Sequence, residues 1–284
     1  MPKLEITTKI GCTIDCNYCP QPRLISNYRK RSHIFDMSMD VFRKCIDKVP
    51  SHVNIHFSGM SEPWLNHECT KMFLYANERG HKILASTTLM GMYTEDIELL
   101  EKMHFTAFNV HLPSAGDGGE KIEVDEQYLN LLERLLKSRI RINLRFLGET
   151  LHSDINTFLK NKRIEHVQIH TRAKNREIKN VPQPPVRHGV IGCRRNFRQN
   201  VLLPNGDVVL CCMDYGLQHV LGNLLRENYE SLFHSPEFLK IKAGLNNEKI
   251  DILCRECDNF AYTQNIFSKM YYTHLREYVR SKLF

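Results

Sequence analysis

Three cysteines near the start of the chain constrain its fold and chemistry more than any other feature. Cys12, Cys16 and Cys19 are spaced by three and then two residues within the segment Gly11-Cys-Thr-Ile-Asp-Cys-Asn-Tyr-Cys-Pro20. Four thiolates ligate every iron of a [4Fe–4S] cluster, so a compact loop with three thiolates leaves one iron open to another ligand. The alternatives are a zinc loop or three unrelated buried thiols, although zinc sites usually take four ligands in closely spaced pairs.

A second set of four cysteines lies towards the C-terminus. Cys193 is followed after seventeen residues by Cys211, and the set ends in Cys254-Arg-Glu-Cys257. Four thiolates can close a cluster completely, while a structural zinc site with four cysteine ligands is the alternative. Cys211 and Cys212 are adjacent, so we predict that only one of them is a ligand, because successive side chains of a strand point in opposite directions.

The composition is that of an ordinary globular enzyme, with 42% hydrophobic and 25% charged residues in 284. The longest apolar runs, such as Val208–Met213, are far too short to span a bilayer, and the N-terminus shows no apolar signal region. We therefore expect a cytoplasmic protein without membrane contact. In that compartment ten cysteines are metal or redox ligands more readily than disulfides.

Hydrophobic periodicity predicts alternating strands and helices, which is typical of an α/β fold with a parallel sheet. The predicted strands are Leu4–Thr8, Val53–Phe57, Lys82–Ser86, Ala107–His111, Ile140–Phe146 and Glu165–Ile169. The predicted helices between them are Met39–Lys48, Cys69–Arg79, Glu95–Met103, Glu126–Ser138 and Asp154–Leu159. Active-site groups are expected at the C-terminal ends of the strands.

The pattern changes after residue 180. The proline-rich segment Val181–Val186 predicts a linker, and two apolar runs around Pro204-Asn-Gly-Asp207 predict a β-hairpin. We expect a barrel domain over residues 1–180, a linker over 181–192, a cluster domain over 193–260 and a C-terminal helix over 261–284.

The first cysteine loop resembles the radical S-adenosylmethionine (SAM) superfamily, in which an aromatic residue such as Tyr18 stands near the adenine. The resemblance implies a partial (β/α)6 barrel, a [4Fe–4S] cluster that binds SAM, a 5′-deoxyadenosyl radical and an external reductant of the flavodoxin or ferredoxin type. The C-terminal cysteines resemble the twitch domain, a short form of the SPASM domain that holds one auxiliary [4Fe–4S] cluster. Alignment with its hairpin implies that Cys211 is the ligand, which leaves Cys212 as a buried packing thiol or a hydrogen-donating thiol. The layout is similar to that of the superfamily's 2-deoxy-scyllo-inosamine dehydrogenases.

Further positions match the superfamily's SAM-binding motifs. Gly59, Met60, Ser61 and Glu62 occupy the positions of its Gly-Gly-Glu-Pro loop, whose backbone carbonyls receive the amino group of SAM. His111 and Arg145 stand where relatives place polar groups towards the ribose and carboxylate, and Arg172 matches a turn beyond the sixth strand. An ordinary strand-to-helix loop at Glu62 and structural roles for the other three residues are the alternatives.

The resemblance implies a two-electron dehydrogenation of a sugar or aminocyclitol alcohol, with His111, His170 and Glu149 as candidate bases at strand ends. The alternatives are a peptide- or protein-modifying maturase, a sugar epimerase and a zinc-binding interaction protein. With eleven residues before Cys12, no N-terminal peptide-recognition domain is expected.

One basic stretch of the chain bears on the substrate. It contains Arg172, Lys174, Arg176, Lys179, Arg187, Arg194, Arg195 and Arg198, within a formal net charge of +7. It predicts either a solvated face or a docking surface for an anion, such as a phosphorylated or nucleotide-linked carbohydrate. No nucleic-acid-binding motif accompanies it, so a small-molecule substrate is expected rather than nucleic acid.

Overall fold

The structure is a computed structural model of the chain, and it describes residues 2–115, 122–160, 162–178, 181–193, 195, 198–259 and 261–263. The predicted C-terminal helix lies outside the described residues, apart from residues 261–263. Those three residues form a strand instead, because their backbone pairs in an antiparallel register with residues 191–193.

Thirteen strands occur in the described part of the chain, and nine of them form one sheet in the order β12-β11-β10-β1-β2-β3-β4-β6-β8. The strands are β1 (Lys3–Ile6), β2 (Asn54–Phe57), β3 (Ile83–Thr87), β4 (Phe105–Leu112), β5 (Ser114–Ala115), β6 (Ile142–Phe146), β7 (Thr150–Leu151), β8 (Ile164–His166), β9 (Ile191–Cys193), β10 (Gln199–Leu202), β11 (Asp207–Val209), β12 (Val220–Asn223) and β13 (Ala261–Thr263). β1, β2, β3, β4, β6 and β8 are parallel neighbours and correspond to the six predicted strands. The predicted parallel α/β sheet is confirmed.

Helices follow most of the strands of this sheet. They are α1 (Gln21–Arg29), α2 (Met39–Ile46), α3 (Cys69–Glu78), α4 (Thr94–Leu100), α5 (Glu126–Lys137), α6 (Ser153–Phe158) and α7 (Pro236–Gly244). The five helices predicted between the strands correspond to α2 to α6. Side-chain caps fix two of their N-termini, since Ser38 accepts a hydrogen bond from Val41 N and Asp125 accepts one from Tyr128 N. α1 was not predicted, because its buried stripe contains only Leu24 and Tyr28 among apolar residues.

The hydrophobic core lies between the outer face of the sheet and these helices. Phe57 of β2 stacks on Phe73 of α3 with ring centroids 3.8 Å apart, and Phe42 of α2 lies 5.8 Å from Phe57. Stacked and tilted aromatic pairs of this kind add to the area that they bury. The packing holds β2 rigidly, which fixes the loop that follows it.

The inner face of the sheet is polar. In β1, Leu4 and Ile6 are fully buried in the core, while Lys3 and Glu5 point to the opposite face and line a cavity. β2, β4 and β6 repeat the pattern, since His56, His111 and Arg145 face the same cavity. Strand alternation therefore places charged and titratable groups inside the curve of the sheet.

The C-terminal region continues the sheet rather than standing apart from it. The predicted hairpin is confirmed as β10 and β11, which pair antiparallel across a turn where Gly206 has φ +86°. β10 also pairs in parallel with β1, with Lys3 opposite Gln199. This attachment was not predicted, and it brings the end of the hairpin, with Cys211 and Cys212, to the edge of the curved sheet.

Candidate active site

A cavity of about 610 Å³ lies on the inner face of the sheet, beneath the cysteine loop. Twelve of the predicted site residues line it: Cys12, Cys16, Tyr18, Cys19, Gly59, Met60, Ser61, Glu62, His111, Arg145, His170 and Arg172. The structure therefore gathers in one place residues that the sequence separates by up to 160 positions. Among the predicted site residues, Glu149 and the four C-terminal cysteines do not line this cavity.

The first cysteine loop follows β1 and faces the cavity. Its three thiols are partly exposed, and Cys19 N donates to Cys16 O at 2.9 Å, which closes the turn between the last two cysteines. Asp15 adopts φ +51°, a left-handed conformation that turns the chain sharply before Cys16. All three cysteines of the loop line the cavity.

The Gly59–Glu62 loop is pressed against the end of β1. Gly59 has φ +71°, and a Cβ atom at this position would run into the Thr7 hydroxyl. That hydroxyl accepts a hydrogen bond from Met60 N at 3.1 Å, and Met60 O accepts one from the Gln21 side chain. The positive φ and the clash with Thr7 each exclude a side chain at residue 59, so glycine is needed where the loop approaches β1 this closely.

Glu62 holds the loop in place with its own carboxylate. It accepts hydrogen bonds from Thr87 Oγ1 at 2.7 Å and from Thr88 N and Oγ1 at 2.7 and 2.8 Å. It also caps the short 3-10 helix that starts at Pro63. The side chain therefore ties the loop after β2 to the turn after β3, next to the cavity that the loop lines.

A left-handed turn carries Arg172 into the cavity. Arg172, Ala173 and Lys174 have φ values of 55°, 54° and 60°, and such a run needs external support. Asp258 supplies it, because its carboxylate accepts hydrogen bonds from Thr171 N and Ala173 N. The turn beyond the sixth predicted strand is thus held by a residue of the C-terminal region.

Two of the three candidate bases, His111 and His170, lie in the cavity. Burial, then Arg145 and Arg172, lowers the pKa of His111 to about 4, and burial also lowers the pKa of His170. His111 is therefore neutral at pH 7 and only weakly basic. The third candidate, Glu149, is exposed and lies outside the cavity, because it follows the end of β6 in a loop that points to solvent.

Sequence reasoning missed several titratable groups of the cavity, among them His56 and Glu5. His56 lies on β2 with Nε2 3.0 Å from Ser86 Oγ, and burial, followed by Lys3 and Arg195, lowers its pKa to about 3. Glu5 lies on β1 and is 4% exposed. The alternating apolar residues of both strands were the available signal, but they do not say whether the other face meets solvent or a cavity.

The C-terminal cysteines occupy a different environment. Cys211, Cys254 and Cys257 are buried, and Cys193 is partly exposed. The Cys-x-x-Cys pair forms a turn in which Cys257 N donates to Cys254 O, and the Arg187 side chain donates to Cys257 O. Cys211 is close enough to Cys254 for their charges to interact. Among the described residues, no three or more His, Cys, Asp or Glu side chains converge as they would on a single metal ion.

Only Cys212 of the two adjacent cysteines lines the cavity, where it accepts a hydrogen bond from Arg195 Nη1 at 2.9 Å. Both cysteines lie beyond the end of β11 at Val209, so the strand expected to include them stops short and its side-chain alternation does not apply to them. The assignment of Cys211 alone as a ligand stays a prediction.

The basic stretch is mostly engaged inside the protein. Lys174 Nζ pairs with Glu256 at 3.0 Å, Arg176 Nε donates to Asn17 O at 2.9 Å, and Arg187 donates to the Cys257 carbonyl. Arg172 and Arg195 line the cavity, and Lys179 and Arg194 lie outside the described residues. An anion would therefore meet these two arginines inside the cavity.

Family comparisons agree with this geometry. The sequence model of the radical SAM superfamily matches residues 6–171, more than half of the chain. The chain belongs to the radical SAM superfamily. The model of the SPASM iron–sulfur cluster-binding domain matches residues 193–258. The predicted cofactors, a SAM-binding [4Fe–4S] cluster and an auxiliary cluster, follow from these two domains.

Solved structures share the fold of this radical SAM protein at low sequence identity. BtrN in complex with AdoMet and 2-DOIA is 14% identical with a TM-score of 0.59, over 91% of this chain and 93% of that one. Native anSMEcpe with bound AdoMet is 13% identical with a TM-score of 0.59, over 99% and 97%. Streptococcus suis SuiB bound to precursor peptide SuiA is 13% identical with a TM-score of 0.62, over 90% and 69%.

A search among curated proteins and a test for membrane-spanning helices both give negative results. A search of curated proteins finds no match. No described helix is long and apolar enough to cross a bilayer.

The radical SAM cavity contains buried polar atoms that suit the cofactor. Ser61 Oγ, Gln21 Oε1 and Arg172 Nε lack a hydrogen-bond partner within the described residues, and all three side chains line the cavity. Buried polar atoms without a partner are costly. An amino group can donate to the two oxygen atoms, and a carboxylate can accept from the guanidinium. The methionine moiety of SAM offers both groups, so these residues fit it.

Proposed function

We propose that this radical SAM protein is an oxidoreductase that dehydrogenates a secondary alcohol of a small hydroxylated substrate, such as a sugar or an aminocyclitol. One observation carries the proposal: a single cavity is lined by the three cysteines of the first loop and by Cys212, which is the neighbour of Cys211. A substrate in this cavity would lie between the two cysteine sets.

The residues divide between two cofactors. Cys12, Cys16 and Cys19 are the ligands proposed for the first cluster, and Cys193, Cys211, Cys254 and Cys257 are those proposed for the auxiliary cluster. The Gly59–Glu62 backbone, Tyr18, Arg145 and Arg172 are proposed to hold SAM. When bound, these groups supply a 5′-deoxyadenosyl radical and an electron acceptor.

The charge of the cavity favours an anionic substrate. Lys3, Arg145, Arg172 and Arg195 line it, against the carboxylates of Glu5 and Glu62. Arg145 Nε is also 2.8 Å from Glu165, which is mostly exposed. The proposal of a phosphate rests on the guanidinium groups of Arg172 and Arg195 in the cavity wall, since such groups bind phosphate well. A phosphorylated or nucleotide-linked carbohydrate meets this requirement, and a flavodoxin- or ferredoxin-type protein is the proposed reductant.

Epimerisation of a sugar carbon is a second candidate, because of Cys212. Burial and the nearby Glu5 raise the pKa of this thiol to about 12, so it keeps its hydrogen at pH 7. A thiol in the cavity is placed to return a hydrogen atom to a substrate radical. This outcome differs from dehydrogenation in its stoichiometry, since it involves no net oxidation of the substrate.

Deuterium transfer distinguishes the candidates. The anaerobically reconstituted enzyme is given SAM, reductant and a panel of deuterated compounds that includes 2-deoxy-scyllo-inosamine and hexose phosphates. We expect deuterium in 5′-deoxyadenosine and one carbonyl product for each SAM consumed. An epimer without a carbonyl product contradicts the dehydrogenase proposal, and modification of a peptide places the enzyme among the maturases.

A phosphate group on the substrate has its own signature. If it binds to the arginines of the cavity, added salt raises KM more than it lowers kcat, because salt screens the ground-state attraction. If salt raised the KM of a neutral substrate by the same factor, the proposal that the substrate carries a phosphate would be contradicted.

A further inference from the structure

Glu5 is a buried carboxylate inside the catalytic cavity. It lies on β1 between Leu4 and Ile6, which are fully buried on the opposite face of the sheet, so its side chain can point only inward. Burial raises its pKa, while Arg195, Cys212, Lys3 and Arg172 act to lower it. A carboxylate is rarely buried without a specific partner.

The partners of Glu5 place it at the auxiliary-cluster end of the cavity. Arg195 Nη1 is 3.6 Å from Glu5 Oε1 and donates to Cys212 Sγ at 2.9 Å. The Cys212 side chain also hydrogen-bonds Glu5. Because Cys212 follows Cys211 directly, Glu5 lies two side chains away from a proposed auxiliary ligand.

The other carboxylates and the histidines in or near the cavity are less suited than Glu5 to take a proton from the substrate. Glu62 is occupied by hydrogen bonds from Thr87 and Thr88. Glu149 is exposed outside the cavity. The histidines His56, His111 and His170 are weakened as bases, because burial lowers the pKa of each, to about 3 for His56 and to about 4 for His111. Glu5 combines a raised pKa with a place in the cavity wall.

We propose that Glu5 is the general base of the dehydrogenation, with Arg195 and Cys212 as its positioning residues. This inference rests on the proposed function. With both cofactors bound, the substrate alcohol would lose a hydrogen atom from carbon to the 5′-deoxyadenosyl radical, a proton from oxygen to Glu5 and an electron to the auxiliary cluster. The C–H and O–H bonds break, and a C=O bond forms. Loss of the proton makes the substrate radical a stronger reductant, so base and electron acceptor belong at the same end of the cavity.

Glu5→Gln tests this role in the fully reconstituted enzyme, because it keeps the shape of the side chain and removes its basicity. With the panel compound that gives deuterium transfer in the wild type, we expect transfer to 5′-deoxyadenosine to persist. Carbonyl formation should fall by about 100-fold, within the usual range for a general base. The substrate radical should accumulate, with a signal in electron paramagnetic resonance. Glu5→Asp should restore part of the rate.

The matched control is Glu78→Gln, which alters an exposed carboxylate at the end of α3. It should match the wild type in iron content, deuterium transfer and carbonyl yield. In the wild type, carbonyl formation should fall as the pH drops through the raised pKa of Glu5, because the base must be ionised. Glu5→Gln should lack this acidic limb. Wild-type carbonyl formation by Glu5→Gln would overturn the assignment, as would loss of deuterium transfer with both clusters intact.

Infrared spectroscopy tests Glu5 without any substrate. The C=O stretch of a protonated carboxylic acid should persist in the reconstituted enzyme above the pH at which ordinary glutamates ionise, and Glu5→Gln should remove part of it. Glu62→Gln and Asp214→Asn identify the contributions of two other buried carboxylates, whose pKa values burial also raises. An unchanged band in Glu5→Gln contradicts the proposal. Failure of every panel compound counts against the proposed function, and the infrared result still decides on Glu5.

Discussion

The two cysteine sets of this protein use the same thiol chemistry in opposite surroundings. Cys12, Cys16 and Cys19 are partly exposed on the wall of a large cavity. Cys211, Cys254 and Cys257 are only 5 to 7% exposed. The two proposed cluster sites therefore differ in how far a small molecule can reach them as well as in the number of cysteines. The first is open to SAM from the cavity, whereas the second is enclosed, which is what the proposed role in electron transfer requires.

The two sets also differ in how the chain assembles them. Eight consecutive residues supply the first set, whereas the second spans residues 193 to 257 and uses β9, the end of a hairpin and a turn. The first depends on local loop geometry. The second depends on the pairing of β10 with β1 and of β13 with β9, so it reports on the tertiary fold.

The largest effect should follow from removing the first set. Replacement of Cys12, Cys16 and Cys19 with alanine should abolish SAM cleavage, because no thiolate then holds the first cluster. The auxiliary cluster should remain at about four irons per chain. Iron and sulfide analysis of the anaerobic protein, with 5′-deoxyadenosine formation, measures both. Loss of all iron would show that the two sites do not form independently.

A smaller effect should separate the two adjacent cysteines. Cys211→Ala should remove most auxiliary iron and the oxidised product, because its buried thiol is a proposed ligand. Cys212→Ala should keep that iron, since its thiol faces the cavity. Mössbauer spectra of each variant give the cluster count. Identical behaviour of the two variants would refute the assignment of Cys211 alone as the ligand, while retained deuterium transfer with lost epimer would assign Cys212 to hydrogen donation.

The smallest effect concerns a contact between the two regions. The Tyr215 hydroxyl is 3.8 Å from Cys19 Sγ, and it can donate a hydrogen bond to the thiolate form. Hydrogen bonds to sulfur help to set cluster potentials. Tyr215→Phe should therefore lower the potential of the first cluster by up to about 60 mV, a tenfold change in a one-electron equilibrium. A redox titration followed by electron paramagnetic resonance measures it.

Tyr229→Phe is the control for that measurement, because Tyr229 is equally buried but packs against Phe233. It should leave both potentials unchanged. Equal shifts in the two variants would mean that the contact with Cys19 has no special effect.

The sequence predicted most of the sheet because its strands are strongly patterned. β2 and β3 begin within one residue of their expected positions. The pairing of β1 with β10 joins residues about 200 positions apart, and no local pattern encodes such a contact. The C-terminal region was consequently expected as a separate domain beyond a linker, a division that stays a prediction.

The candidate site was predictable where a motif is local and unpredictable where the fold alone defines it. The Cys12–Cys19 loop and the Gly59–Glu62 loop are contiguous, so their residues could be named from the sequence. Glu5 could not, because a charged residue that alternates with apolar ones usually faces solvent. Glu149 was expected in the cavity because it was placed at the end of a strand. The strand ends earlier, at Phe146, so Glu149 lies in the loop beyond it and does not reach the cavity.

The carboxylate of Asp258 has a consequence for the binding of SAM. It follows Cys257 directly and holds the left-handed turn that directs Arg172 into the cavity. The turn of the C-terminal cysteines and the turn that carries Arg172 are therefore joined through one side chain. If a bound auxiliary cluster orders the Cys254–Cys257 turn, it would also steady Arg172 at a distance, so we expect loss of that cluster to weaken the binding of SAM proposed for this arginine.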